Sequence, residues 1–236
     1  MGEVYTSGKR GGKPKQIDGF TGSMQIITET TTWTCPATGE YYISCIGQGG
    51  MHQQMFDDRN VDVYVATGGG GGIAESKLKL QKGNKIKITI DAGVSSFGSY
   101  LSATGGENAN IYGHPGNKSK GGSGTGGNVG NFNGIIGTNH KFSDGDYAIN
   151  KIQGGGTNAS AKYGGAAGGI ISNPFYDNTA PYGNTIYFPC TTPANLGIYP
   201  YGSSQGSCVD GSDYGGPAYG VDGYVKNGAV IIEYMG

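Results

Sequence analysis

The sequence predicts an all-β protein: an antiparallel β-sandwich framework combined with glycine-rich polyproline-II-like layers and long loops. Three observations predict it. Short runs of strand-forming residues with period-two alternation occupy the early part and the end of the chain, and no stretch has the 3.6-residue apolar period of an amphipathic helix. Of the 236 residues, 49 are glycine, about three times the ordinary usage of roughly 7%. Each glycine ordered on folding loses more backbone entropy than any other residue. A fold that keeps this many must use the missing side chain, for positive φ or for backbone-to-backbone contact. Aromatic residues make up 11% of the chain, 17 of them Tyr, which low-complexity tails lack.

Strands are expected near residues 24–34, 40–47, 60–66, 74–81, 85–91 and 229–234. Met24-Gln25-Ile26-Ile27 runs into threonines and Trp33, all strand formers. A turn at Pro36–Gly39 leads to Tyr41-Tyr42-Ile43-Ser44-Cys45-Ile46, and Val61, Val63 and Val65 alternate with Asp62 and Tyr64. Leu78 and Leu80 alternate with Lys77 and Lys79, and after Gln81–Asn84 Ile86, Ile88 and Ile90 alternate with Lys85, Lys87 and Thr89. This pattern reads as a hairpin with one aliphatic and one lysine-rich face. The lysines read as a solvated face that blunts edge pairing, with anion binding as the alternative. Ala229–Tyr234 is nearly continuous in apolar residues, as a strand buried on both faces would be. Pairing of that last strand with early ones closes the sandwich, with Leu78, Leu80, Ile86, Ile88, Ile90 and Ile231 inward.

Residues 1–23 read as an extended N-terminal attachment arm, and residues 24–236 as one glycine-rich β domain with Gly/Tyr-rich loops inserted at about 93–228. Gly121, Gly124, Gly127 and Gly130 fall three apart, the period of a polyproline-II helix. They are expected to be structural glycines, placing bare backbone against another glycine-rich segment through amide–carbonyl bonds and weak Cα–H contacts.

Several function classes are set aside. Net charge is −1 with 14% charged residues, unlike the basic footprint of a nucleic-acid binder. The chain opens polar and basic without the apolar core of a signal peptide, and no stretch is long or apolar enough to span a bilayer. The expectation is a soluble chain without membrane insertion. The glycine run Gly68–Gly72 is followed by Ile73-Ala74-Glu75, and no Gly-Lys-Ser/Thr occurs, so a phosphate-cradling loop is not formed. His52, His114 and His140 are isolated, and Asp57-Asp58, Asp144/Asp146 and Asp210/Asp213 read as turn residues. No enzymatic activity, cofactor or metal is expected. Cys35 and Cys45 lie unevenly about their turn, whereas Cys190 and Cys208 share one loop and are the candidates for a bridge.

The ordered combination of Trp33–Ile43, Ile46-Gly47-Gln48-Gly49-Gly50, Gly68–Leu78, Lys82–Ile90, Ser96-Phe97-Gly98, Leu101–Gly106 and Gly228–Tyr234 resembles the glycine-rich domain of phage tail fibres and tail-tip receptor-binding proteins, or adhesins. The resemblance covers roughly residues 30–110 and 220–236. It implies a β framework with polyglycine-II-like layers, and variable loops that meet a receptor on the bacterial host. It further implies a virion tail-tip location after assembly in the host cytoplasm, attachment to other tail-fibre or baseplate proteins through the N-terminal arm, and a homotrimer as one assembly state. The chain departs from the family pattern at Met51–Asn60 and in the Tyr- and Pro-rich stretch 172–217, both of which are expected to be diversified loops. Tyr beside Ser, Gly and Asn is the composition of antibody binding loops. Tyrosines that fill space over glycine-rich backbone are the competing account; the candidate receptor-binding residues are Phe56, Tyr176, Tyr182, Tyr187, Tyr199, Tyr201 and Tyr214. Two alternatives stand beside the adhesin: a structural capping or decoration protein of the virion, and an ice-binding polyglycine-II protein.

Overall fold

The computed structural model describes residues 24–50, 53–56, 62–66, 68–91, 93–109, 118–143, 151–153, 157–164, 170–172 and 228–236. Among the described residues there are fifteen strands and no helix. In chain order they are β1 Met24–Ile27, β2 Thr31–Thr34, β3 Gly39–Ile46, β4 Gln53–Phe56, β5 Asp62–Ala66, β6 Ile73–Leu80, β7 Lys85–Ile90, β8 Val94–Phe97, β9 Leu101–Thr104, β10 Gly124–Thr125, β11 Gly130–Phe132, β12 Asn139–Ser143, β13 Lys151–Gln153, β14 Ile170–Ser172 and β15 Ala229–Tyr234. Two five-stranded antiparallel sheets dominate. The first has the order β1-β15-β3-β6-β11 and the second β10-β9-β8-β7-β2. A three-stranded sheet, β12-β5-β4, and the pair β13-β14 complete the set.

One hydrophobic cluster draws side chains from both large sheets. Tyr41, Ile43, Cys45, Leu80, Val230 and Ile232 come from the first, and Trp33, Ile86, Ile88, Phe97 and Leu101 from the second. Within it Trp33 lies edge-on to Tyr41 at 5.6 Å and tilted to Phe97 at 5.7 Å between centroids. A second cluster covers the other face of the first sheet, joining Met24, Ile26, Ile46, Ile73 and Ile231 to Ala161 and Tyr163. The last strand is therefore buried on both faces, as its unbroken apolar run requires, and it lies between β1 and β3. Cys35 and Cys45 are both buried free thiols.

Four details of the sequence reading are corrected. Residues 24–34 form two strands in different sheets, because the chain bends at Thr28–Thr30 and Thr30 Oγ1 caps the backbone N–H and carbonyl of Ile90. The lysine-bearing strands are not a hairpin. β6 pairs with β3 and β11, whereas β7 pairs with β2 and β8. The turn 81–84, with Gly83 at φ 87, carries the chain from one sheet to the other and is pinned to Cys35 by two backbone bonds of 2.8 Å. Ile231 faces the second cluster, on the opposite side of its sheet from Leu80. Finally, Gln53–Phe56 within the stretch 51–60 is strand β4, paired with β5.

The aliphatic residues of β6 and β7 point toward one another across the shared cluster. Side chains alternate faces along a strand, so Lys77 and Lys79 leave the molecule in one direction and Lys85 and Lys87 in the opposite one. There is no single lysine face.

Candidate functional site

Glycine segments outside the strands are joined by a backbone network. Gly47 and Gly50 donate to the carbonyls of Gly72 and Gly69 at 2.9 and 2.7 Å. Gly69 and Gly72 in turn donate to Glu107 and Thr104, at 3.0 and 3.1 Å. Thr104 and Glu107 donate to Ser123 and Lys120 at 2.9 Å each, and Gly134 and Gly137 to Gly122 and Ser119 at 2.8 Å each. In every one of these pairs successive bonds are three residues apart and the two segments run antiparallel. Gly70 adds bonds in other directions, donating to Ile135 and accepting from Gly122. The fully buried run Gly68–Gly72 thus bonds to four neighbouring segments, 47–50, 104–107, 119–123 and 134–137. A β-strand has neighbours on two sides only.

Side chains are excluded from the contacts. A Cβ on Gly71 would overlap the carbonyl of Gly47, and one on Gly69 that of Lys120. The glycine quartet singled out from the sequence is divided. Gly121 lies in the network and would meet Gly134, but Gly124 belongs to β10 and Gly130 to β11, with Gly126 between them at φ 80. They are not one continuous polyproline-II segment. Backbone still crowds Gly124, at the Ile73 carbonyl, and Gly127, at Gly130 and Glu75, while the Phe132 ring crowds Gly130.

A second construction clasps residues 157–164 to the outer face of the first sheet. Glu75, 2% exposed, accepts bonds from Tyr42 Oη (2.8 Å), Ser44 Oγ (2.9 Å) and the backbone N–H of Lys162 (2.9 Å). Lys162 Nζ and Tyr163 Oη both reach Glu233, and the ammonium lies 4.5 Å from the Tyr42 ring centroid. Burial raises the pKa of Tyr42 above its ordinary 10.0, helped by its bond to Glu75 and the charges of Glu75 and Glu233. Burial, then the Glu233 charge and bond, raises that of Tyr163. Burial also raises Tyr41, together with its bond to Cys35, and lifts Cys45 above 9.0. The folded protein therefore holds protons that the unfolded chain releases above pH 9–10. Stability is full below those unfolded values and falls as pH rises from them toward the raised folded ones, by about 1.4 kcal/mol per pH unit for each group in its window. Melting temperature is expected to fall steadily from pH 9 to pH 11. A flat profile over that range would contradict the burial of these groups.

An open basin of about 550 Å³ lies at the start of β3 and the end of β6, beside the two residues that follow β15, and is lined by Glu40, Lys79, Leu80, Gln81 and Met235 among others. It contains no His or Cys. Among the described residues no group of three His, Cys, Asp or Glu is placed to hold a metal, and no helix is long and apolar enough to cross a membrane.

Of the candidate receptor residues, Phe56 is the last residue of β4, in register with Val63. Tyr176, Tyr182, Tyr187, Tyr199, Tyr201 and Tyr214 lie outside the described residues, as do Cys190, Cys208 and the arm 1–23. Sequence reasoning missed the Glu75–Lys162 clasp, whose partners are 87 positions apart. A glutamate in the apolar half of a strand was its only signal. No family model matches the chain, and a search of curated proteins finds no match.

Proposed function

We propose that the two large sheets pack as a β-sandwich framework, that the glycine segments form a polyglycine-II-like layer beside it, and that the whole is a non-enzymatic virion tail-tip protein recognising a receptor on the bacterial host surface. The observation that carries the reading is the glycine run 68–72, bonded to four neighbours with a three-residue repeat. Three residues per turn is the polyproline-II geometry. The hydrophobic cluster shared by both sheets supports the sandwich. Such a layer is rigid and offers almost no side chains, so binding must come from other segments. Binding energy concentrates in a few large residues, especially Trp, Tyr and Arg. The tyrosines between β14 and β15 supply them, and a rigid support lowers the entropy lost when they engage a receptor. The resemblance of the framework motifs to tail-tip proteins supplies the biological setting, with the N-terminal arm joining a neighbouring tail or baseplate protein.

The test is binding of the isolated protein to envelope fragments of the bacterium that the parent particle infects. Alanine at Tyr176, Tyr182, Tyr199 or Tyr201 is expected to cost about 1–3 kcal/mol of that binding at one or two of the positions, with melting unchanged. Absence of envelope binding by the parent protein would replace the adhesin with a capping or decoration protein of the virion.

A further inference from the structure

We infer that the outer face of the second sheet is a docking surface for an extended acidic polysaccharide, separate from the tyrosine-rich segments. The inference rests on the register of that sheet. Thr89 is paired with Ser96, Ser96 with Ser102, and Ser102 with Thr125. These four point away from the shared cluster, which takes Ile88, Phe97, Leu101 and Ala103 from the same strands. They make one row of hydroxyls across four strands, stepped by about 4.8 Å. Beside it on β7, Lys87 and Lys85 project from the same face about 7 Å apart. Each faces a threonine of β2, Lys87 opposite Thr32 and Lys85 opposite Thr34, and all four are exposed.

Among the described residues, none of the four row hydroxyls and neither lysine has a hydrogen-bond or ion-pair partner. No outward position of the five strands is acidic, although the chain as a whole carries −1. The face therefore offers free hydroxyls in a line and two free cations along one edge. Its hydrogen-bonding groups spread over more than 10 Å and do not converge, which suits a chain lying flat and not a small anion. Among the outward positions of these strands Val94 is the only apolar side chain and none is aromatic. A lipid surface would need more apolar area, and a single-stranded nucleic acid would need bases stacked on aromatic rings. A polymer rich in hydroxyls with spaced carboxylates matches both the row and the lysines.

The experiment measures binding of the full chain to alginate, a polyuronate, with neutral dextran and short duplex DNA as comparison polymers. The parent protein should bind alginate and bind dextran and DNA far more weakly. Lys85→Ala/Lys87→Ala should weaken alginate binding about tenfold and remove most of its salt dependence. Ser96→Val/Ser102→Val should weaken it about fivefold while keeping the fold, since valine suits a strand position. Lys77→Ala/Lys79→Ala, which removes the same charge from the opposite face, should leave it unchanged. No alginate binding by the parent overturns the inference. Equal losses from the two lysine pairs, or equal binding of DNA and alginate, would also overturn it, because net charge alone would then account for the attraction. None of these outcomes depends on the tyrosines or on a host, so the inference and the adhesin reading fail separately.

Discussion

Gly71→Ala is expected to cost at least about 3 kcal/mol, the upper end of ordinary overpacking, or to prevent folding. The added Cβ would overlap the Gly47 carbonyl, and Gly69→Ala would drive its Cβ into the Lys120 carbonyl in the same way. In a side-chain core an extra methyl is accommodated by a rotamer change or a small shift. Here both surfaces are backbone, and each is held by bonds of 2.7–3.1 Å to further backbone. Relief at one position lengthens hydrogen bonds at several others, and a lost buried bond costs about 1–3 kcal/mol. Two other glycines separate this steric effect from glycine chemistry in general. A Cβ on Gly93 would meet nothing within 4 Å and its φ is not positive, so Gly93→Ala should raise stability by about 0.4–1 kcal/mol through the unfolded state. Gly83 also faces open space but has φ +87, so alanine there should cost about 1–2 kcal/mol from conformation alone. Chemical denaturation of the three variants gives the comparison. If Gly71→Ala falls within 1 kcal/mol of Gly93→Ala, the glycine segments are not in backbone contact in solution.

The strands with a strong alternating signal were legible, and what they pair with was not. β7 alternates isoleucine with Lys85, Lys87 and Thr89, and β15 opens with an apolar run; both occur within a residue of their expected bounds. The turn between β6 and β7 is the instructive failure. Gln81-Lys82-Gly83-Asn84 suits a hairpin equally well, and its Gly83 at positive φ would serve either geometry. What decides the outcome lies elsewhere: β3 and β11 occupy the two edges of β6, and β2 and β8 those of β7, leaving the two aliphatic faces to meet across a core. Local sequence does not contain that competition. Strands β8 to β11 escaped notice for another reason. They are two to four residues long, mostly Gly, Ser, Thr and Asn with at most two apolar positions each, too short for a period to declare itself.

That glycine segments meet backbone to backbone was legible, and where they do so was not. A three-residue spacing is visible at Gly121–Gly130, yet the hydrogen-bonded repeat is carried mainly by Gly47–Gly50, Gly68–Gly72 and Gly134–Gly137. An unbroken glycine run has no visible period. The run Gly68–Gly72, which bonds to four neighbouring segments, is thus one that a spacing search passes over. Hydroxyls such as Ser96 and Ser102 are equally mute in the sequence, because their row exists only once the register of four strands is set.

Glu75→Ala should destabilise the protein by about 3 kcal/mol or more, since each buried donor left without a partner costs about 1–3 kcal/mol. Three donors lose their acceptor at once: the Tyr42 and Ser44 hydroxyls and the Lys162 N–H. Ser44 is fully buried and Tyr42 is 6% exposed, so water replaces the carboxylate poorly. Glu75→Gln keeps an acceptor for Ser44 and Lys162, and the Tyr42 hydroxyl can turn to accept from the new amide. Its cost should stay near 1 kcal/mol. Lys162→Ala provides the opposite control. It removes the ion pair with Glu233, whose partners are 37% and 18% exposed, but leaves the backbone N–H in place. Partly exposed pairs contribute about 0–1 kcal/mol, so this variant should remain close to the parent. Amide hydrogen exchange at Lys162 reports on the clasp itself. Protection should collapse in Glu75→Ala and persist in Glu75→Gln and Lys162→Ala. If Glu75→Ala retains both its stability and that protection, the carboxylate is not what holds residues 157–164 to the sheet, and their attachment must rest on the packing of Ala161 and Tyr163 against Met24, Ile26 and Ile231.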